Sequence, residues 1–496
     1  MATDVSTIIA TDTAQVKAPV TVPSQTEQKP KSKVRSKYRH VAALHATTRP
    51  SCLSHESPET PSFLGFRNLM VLTIIVMNLR LVIENAKKYG LLITLTSNIH
   101  AVDVRWGALL YVLTPIHLFA AYLIERVAME HAKGAVGRRK KSDAGMKKSP
   151  ETENELKDFL NTWWYIAVAH TVNATLALGI TSAVVWFCIR NPGIGMVSEL
   201  HAIIVWLKTC SYAFTNRDLR HAMLHPGGPE SAIPLIYGNC PYPKNITLSN
   251  LCYFWWAPTL VYQPYYPRTE KIRWGFFFKR LGETAALCTF IWLTCAQYAE
   301  PLLRNSLEGM AVFDLPSIAE RLMKLSTISL IVWLAGFFAV FQSFLNALAE
   351  IMRFGDREFY GPWWNSTSLK MYWSTWNKPV YHFMRRHVYS PLVGRGWSSG
   401  AASIWVFVFS GFLHELAVGI PSHSLLGVAF LGMMAQLPLI FATEPLSRMG
   451  DVGGKVIGNC IFWINFVFVG QPLAAMIYFF SWQAKYGLLS ENRPNP

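Results

Sequence analysis

Two ionisable residues stand side by side in one of the most apolar stretches of the chain. In "FSGFLHELAVGIP" (409–421) they are His414 and Glu415, and no other side chain ionises between Ala401 and Ser422. An ionisable group inside an apolar span is costly, so it usually faces a protein interior or a water-filled cavity. His414 could be a core histidine bonded to a neighbouring carbonyl, a proton relay in a transporter, or a general base for a substrate that lives in the bilayer. Ser410 precedes it by four residues and shares its helical face. Gln436 and Gln471 lie on neighbouring apolar runs, as does Glu444. Imidazole, hydroxyl and carboxamides are what acyl transfer to an alcohol needs: a base for the hydroxyl proton and neutral donors for the developing oxyanion. A transporter could use the same inventory, and the residues alone do not choose.

The elements that must carry these groups are transmembrane helices. The 496 residues are 51% hydrophobic, 13% aromatic and only 15% charged, where a soluble domain carries about 25% charged residues. Crossing a bilayer takes about 20 apolar residues. Runs of that kind lie near 67–87, 106–128, 162–190, 195–215, 276–298, 322–349, 401–421, 424–445 and 456–481. The expected fold is an all-α polytopic membrane protein, with about nine transmembrane helices around an intramembrane reaction chamber.

Three parts are expected along the chain: a basic tail over 1–63, a membrane domain over 64–485 and a short C-terminal tail over 486–496. Residues 1–60 have no apolar signal-peptide core and read as disordered. The stretch "KPKSKVRSKYRH" (29–40) and a second cluster, "GRRKKSDAGMKK" (137–148), concentrate positive charge at the tail and after the second span. Both belong on the cytosolic side by the positive-inside rule. An odd span count then leaves the C-terminus in the lumen. The net charge of +16 is explained by these segments, so no nucleic-acid partner is expected. The eight cysteines are scattered singly with no C-x-x-C pair, which suggests no metal site.

Between spans, "RFGDREFYGPWWNSTSLKMYWSTWNKPVYHFMRRHVYSPLVGRGW" (353–397) combines dense Trp and Tyr with many Arg and Lys. Gly361-Pro362 should break any helix, and "WNSTSLKMYWSTW" (364–376) can form an amphipathic helical piece. Such a segment suits a membrane-surface helix. It suits equally an anionic cofactor whose phosphates need Arg and Lys.

Together, "FYGPWWN" (359–365), the basic-aromatic stretch after it and a span carrying "SGFLHE" (410–415) resemble the membrane-bound O-acyltransferase superfamily, over about residues 65–485. The resemblance is closest to the branch of diacylglycerol and sterol O-acyltransferases. Within it, "NKPVYHFMRRHVYSP" (377–391), "HELAVGIP" (414–421) and "GMMAQLP" (432–438) look like the diacylglycerol enzymes, most like a fungal member. "YPRTEKIRW" (266–274) would also be at home in a sterol enzyme. Two departures stand out. Gly361-Pro362 replaces the usual basic-acidic pair, and Tyr381-His382 stands where the family has His-Lys.

What the resemblance implies is acyl transfer from acyl-CoA to the free hydroxyl of diacylglycerol, giving triacylglycerol, or to a sterol. His414 would be the general base and Asn365 a polar residue of the chamber, with Glu415 tuning or orienting the site. Gln436 would hold the glycerol acceptor, while Ser410 and Gln471 would meet the thioester end of acyl-CoA. Trp364, Tyr389, Arg386 and His387 would belong to the cytosolic CoA-binding part. No resident cofactor or metal is implied. The expected partners are acyl-CoA, diacylglycerol or sterol, membrane lipids and further copies of the chain, as a homodimer or homotetramer. The expected location is the endoplasmic reticulum membrane.

Overall fold

Helix is the predominant structure of all nine apolar runs. The computed structural model describes residues 45–54, 57, 61–86, 100–143, 152–225, 233–299, 302–303, 315–448 and 452–491. The helices are α1 (Leu64–Ala86), α2 (Ala101–Leu113), α3 (Ile116–Asp143), α4 (Thr152–Cys188), α5 (Pro192–Leu224), α6 (Leu248–Trp256) and α7 (Trp274–Thr294). They continue with α8 (Leu315–Phe337), α9 (Leu345–Ile351), α10 (Leu369–Thr375), α11 (Lys378–Phe383), α12 (Ser390–Gly394) and α13 (Ser399–Gly419). The last four are α14 (Val428–Met434), α15 (Gln436–Arg448), α16 (Val452–Ile464) and α17 (Gln471–Glu491). Among the described residues there is no strand, only isolated bridges from Arg49 to Asp356 and from Arg268 to Phe354.

Seven helical runs among the described residues are long and apolar enough to cross a bilayer. The two expected spans outside that set are helical, α1 with a shorter apolar part and α7 with three charged residues. The shorter apolar part of α1 is Leu64–Met77. Helix α7 carries Lys279, Arg280 and Glu283 in its first half. Arg280 and Glu283 pair at 2.6 Å, and Ser343 Oγ donates to the same carboxylate. The charges are therefore used internally, while Phe278, Leu281 and Phe290 face outward.

Two domain edges shift. The first 44 residues, with the basic stretch 29–40, lie outside the described residues. Residues 45–54, however, pack onto the loop after α9 rather than belonging to a free tail. His45 Nδ1 lies 2.5 Å from Asp356 Oδ2 and its Nε2 lies 2.9 Å from Thr259 Oγ1, with all three residues buried. Arg49 donates to Glu358, which also takes Lys378. At the other end α17 runs on to Glu491, through the expected border at 485/486.

The largest core is aromatic. Trp363 is fully buried, with Trp333, Phe337, Trp463 and Phe466 around it. Gly361 and Pro362 interrupt the helix as expected: the Gly361 N–H donates to Thr375 O and residues 363–365 form one 3-10 turn. Ser368 then caps α10 through the Met371 N–H. A second apolar cluster joins Ile203 and Leu207 of α5, Leu260 and Val261, Phe383 and Met384, and Leu413 and Ala417 of α13. This second cluster positions the site.

Candidate active site

His414 sits three-quarters of the way along α13, and its side chain is exposed. Nδ1 lies 2.7 Å from the Ser410 carbonyl, which can only accept, so Nδ1 carries the proton. Ser410 Oγ is 3.4 Å from the same nitrogen. A ring protonated on Nδ1 presents a bare lone pair on Nε2, and Nε2 meets no partner among the described residues. The helix itself therefore holds the imidazole in the form a general base requires.

Glu415 does not turn toward the imidazole. Its Oε1 accepts from Gly427 N (2.8 Å), and Oε2 accepts from Ala429 N (3.1 Å), Phe430 N (3.2 Å) and Tyr478 OH (2.6 Å). The carboxylate caps α14, whose first N–H groups lack intrahelical partners. Gly427, with φ of +73°, gives the tight entry that brings those groups within reach. Glu415 is thus a fastening between α13, α14 and α17.

That fastening sets the register of the two glutamines. Helix α14 runs back along α13, with Phe430 and Met433 against Gly411. Gln436, one turn past Met433, comes level with the stretch before Ser410, where its Nε2 donates to Gly432 O. Helix α17 runs the same way as α13: Ser481 meets Ser424 and Tyr478 meets Glu415. Gln471 lies seven residues, two helical turns, before Tyr478 on the same face of α17. A π-helical turn, 465–470, directly precedes it. Such turns recur at functional sites.

The basic-aromatic segment reaches α13 through the second apolar cluster. Residues 384–389 form another π-helical turn, which carries Arg386, His387 and Tyr389. Arg386 is 3% exposed, no carboxylate pairs with it among the described residues, and the Tyr237 phenol is its hydrogen-bonding neighbour. Tyr237 lies alongside; burial pushes its phenol up and the Arg386 charge opposes that. A buried cation without a counter-ion is costly. His387 lies 2.7 Å from Ser211 Oγ, and Tyr389 OH is 2.7 Å from Ser399 Oγ at the start of α13. His382, in the family's variant dipeptide, packs near His45 instead. Burial first, and then the neighbouring His45, hold its imidazole down at about 4.

Asn365 and Trp364 are placed differently from expectation. Asn365 Oδ1 accepts the Gly65 N–H at 2.5 Å and its Nδ2 donates to Ser62 O. Both ends of the carboxamide hold the start of α1. Trp364 has no exposed surface; it stacks on Phe66 and donates from Nε1 to Ser62 O. The ring is thereby committed to the core. The approach is close: a Cβ on Gly65 would stand 1.6 Å from the Trp364 carbonyl oxygen. Asn459, which sequence reasoning missed, supports the same turn by donating to Trp364 O and Ser366 O and accepting from Asn68. Its signal was an Asn following a Gly inside an apolar run.

These motifs on a helical membrane scaffold define an acyltransferase class, and the chain belongs to the membrane-bound O-acyltransferase family, whose profile matches residues 235–480. A relative named diacylglycerol O-acyltransferase 1A from Glycine max is 33% identical over 94% of this chain and 88% of its own length. Diacylglycerol O-acyltransferase 1-2 from Oryza sativa subsp. japonica is 34% identical over 89% of this chain and 86% of its own length. Diacylglycerol O-acyltransferase 1 from Dictyostelium discoideum is 36% identical over 87% of this chain, which spans 64% of that relative's length.

Proposed function

We propose that this protein transfers a fatty acyl group from acyl-CoA to the free hydroxyl of diacylglycerol, with His414 as the general base. One observation carries the role of His414: its Nδ1–H is committed to Ser410 O, leaving the Nε2 lone pair of an exposed side chain open. Nε2 takes the glycerol hydroxyl proton as that oxygen attacks the thioester carbonyl. The oxyanion that forms is stabilised by carboxamide donors, for which Gln436 and Gln471 are the candidates. Collapse breaks the C–S bond, and the leaving thiolate takes the proton back from the imidazolium. Triacylglycerol and CoA result.

Arg386 grips an anionic part of the acyl-CoA, with His387 and Tyr389 on the same turn. A guanidinium held without a counter-ion gains most from a phosphate, to which it donates two parallel hydrogen bonds. Diacylglycerol enters from the bilayer, and the enclosed site keeps water from the thioester. We place the protein in the endoplasmic reticulum membrane with the N-terminus cytosolic and the C-terminus lumenal, assembled as a homodimer or homotetramer.

The test uses membranes from cells lacking their own neutral-lipid acyltransferases, given labelled oleoyl-CoA with diacylglycerol or with sterol. Triacylglycerol from the wild type and none from His414→Ala is the expected result. Sterol ester instead would move the acceptor assignment to the sister branch. Equal product from both proteins would remove the base assignment.

A further inference from the structure

Helix α5 carries a buried polar face that none of the roles above uses. Lys208 and Ser211 stand three residues apart, on one side of an otherwise apolar crossing. Lys208 Nζ donates to the carbonyls of Phe254 (2.8 Å), Trp255 (3.1 Å) and Ala257 (2.9 Å). Those carbonyls belong to the end of α6 and the residue after it, where no intrahelical donor remains. Lys208 thus fixes the start of the 257–262 segment against α5. Ser211 fixes its far end: its Oγ accepts the Tyr262 N–H at 2.8 Å. The same hydroxyl lies 2.7 Å from His387 Nε2. Ser211 has no exposed surface, so nothing competes for this bridge.

The π-helical turn 384–389 needs such an anchor. A π turn is bonded less favourably than an α turn, so its side chains take their direction from outside contacts. His387 is next to Arg386, which has Tyr237 beside it but no carboxylate among the described residues.

We propose that Ser211 is a positioning residue for acyl-CoA: it holds His387, and through His387 the turn that aims Arg386 at the anionic donor. This rests on the donor-binding role given to Arg386 above. Ser211 touches no reacting atom. Its loss therefore weakens donor binding and leaves the chemical step alone.

The experiment measures oleoyl-CoA binding and triacylglycerol synthesis with the purified full-length protein. Thr209→Val is the matched control: Thr209 is equally buried on α5, but its hydroxyl returns to Val205 O of its own helix. Ser211→Ala should weaken oleoyl-CoA binding about tenfold, the scale of one hydrogen bond. The KM for oleoyl-CoA should rise alongside, while kcat and the KM for diacylglycerol stay unchanged; the melting temperature falls, because the buried Tyr262 N–H also loses its acceptor. Thr209→Val should change none of these. In a His387→Ala background, Ser211→Ala should add less than about twofold, because the two act as one unit. If Ser211→Ala does not accumulate, Ser211→Cys keeps the volume and weakens the bond, and should show the same pattern at smaller size. Wild-type affinity in Ser211→Ala or Ser211→Cys, an undiminished effect in the His387→Ala background, or an equal loss in Thr209→Val would each overturn the proposal. A wild type that binds oleoyl-CoA in a Ser211-dependent way but makes no triacylglycerol would leave it standing and remove the acceptor reading.

Discussion

The two hallmark segments of the chain use their polar groups in opposite ways. At Asn365 the polar groups are used within the protein: the carboxamide takes Gly65 and Ser62, and Asn459 takes the carbonyls of Trp364 and Ser366. At His414 and Arg386 they are left partly open, at one imidazole nitrogen and at a guanidinium with no carboxylate beside it among the described residues. A closed network stabilises a fold and offers a ligand nothing. An open group in a protein interior is a standing cost, repaid only when something binds. The motif that looks most specific in sequence thus also serves as a clasp, and the groups proposed to act on substrate lie where bonding is incomplete.

The sharpest way to break this contrast is at His414. His414→Gln should lower triacylglycerol synthesis by about 10²–10⁴-fold, the usual value of a positioned base, with the melting temperature unchanged. A stability loss of equal rank would make His414 a core residue. Asn365→Ala should do the reverse, lowering stability by about 2 kcal/mol for the unpaired groups it leaves, while kcat per folded molecule stays within about twofold. Thermal unfolding in detergent beside specific activity separates the two outcomes.

Arg386→Gln should raise the KM for acyl-CoA about tenfold and leave stability equal or improved, since it removes a buried charge that the free protein does not pair. A marked loss of stability would show that the guanidinium already has a partner. The smallest effect concerns pH. His382 titrates near 4 in the folded protein and near 6.5 when unfolded. Between those values the unfolded chain binds the extra proton, so stability is full above about pH 6.5 and falls as pH drops toward 4. His382→Phe should flatten the melting temperature over that interval. An unchanged slope would place the titration elsewhere.

Much of this was legible in the residues. Apolar runs of span length located the helices, and Gly361-Pro362 located the break before α10, because both follow from local chemistry. His414 was legible because an imidazole in an apolar run demands an explanation. The role of Glu415 was not: its partners at 427, 429, 430 and 478 become neighbours only when α14 folds back and α17 closes. Trp364 misled because a tryptophan beside basic residues reads the same whether it faces a nucleotide or a core. The ordered segment 45–54 was hidden for a related reason. Its composition is polar, and what orders it is a set of partners some 300 residues away, Asp356 and Glu358.

The bond from His414 Nδ1 to Ser410 O has a consequence for how such a protein can diversify. In many hydrolases a carboxylate from a distant loop orients the histidine, so reshaping the pocket endangers the base. Here the orienting partner is one turn away on the same helix, and the proposed base is a self-contained module. The walls contributed by α14, α15 and α17 can be recast for a flatter or longer alcohol without retuning it. A change of acceptor in this fold is then a problem of shape alone, and pocket-wall exchange that keeps residues 410–414 is the economical route to a new ester.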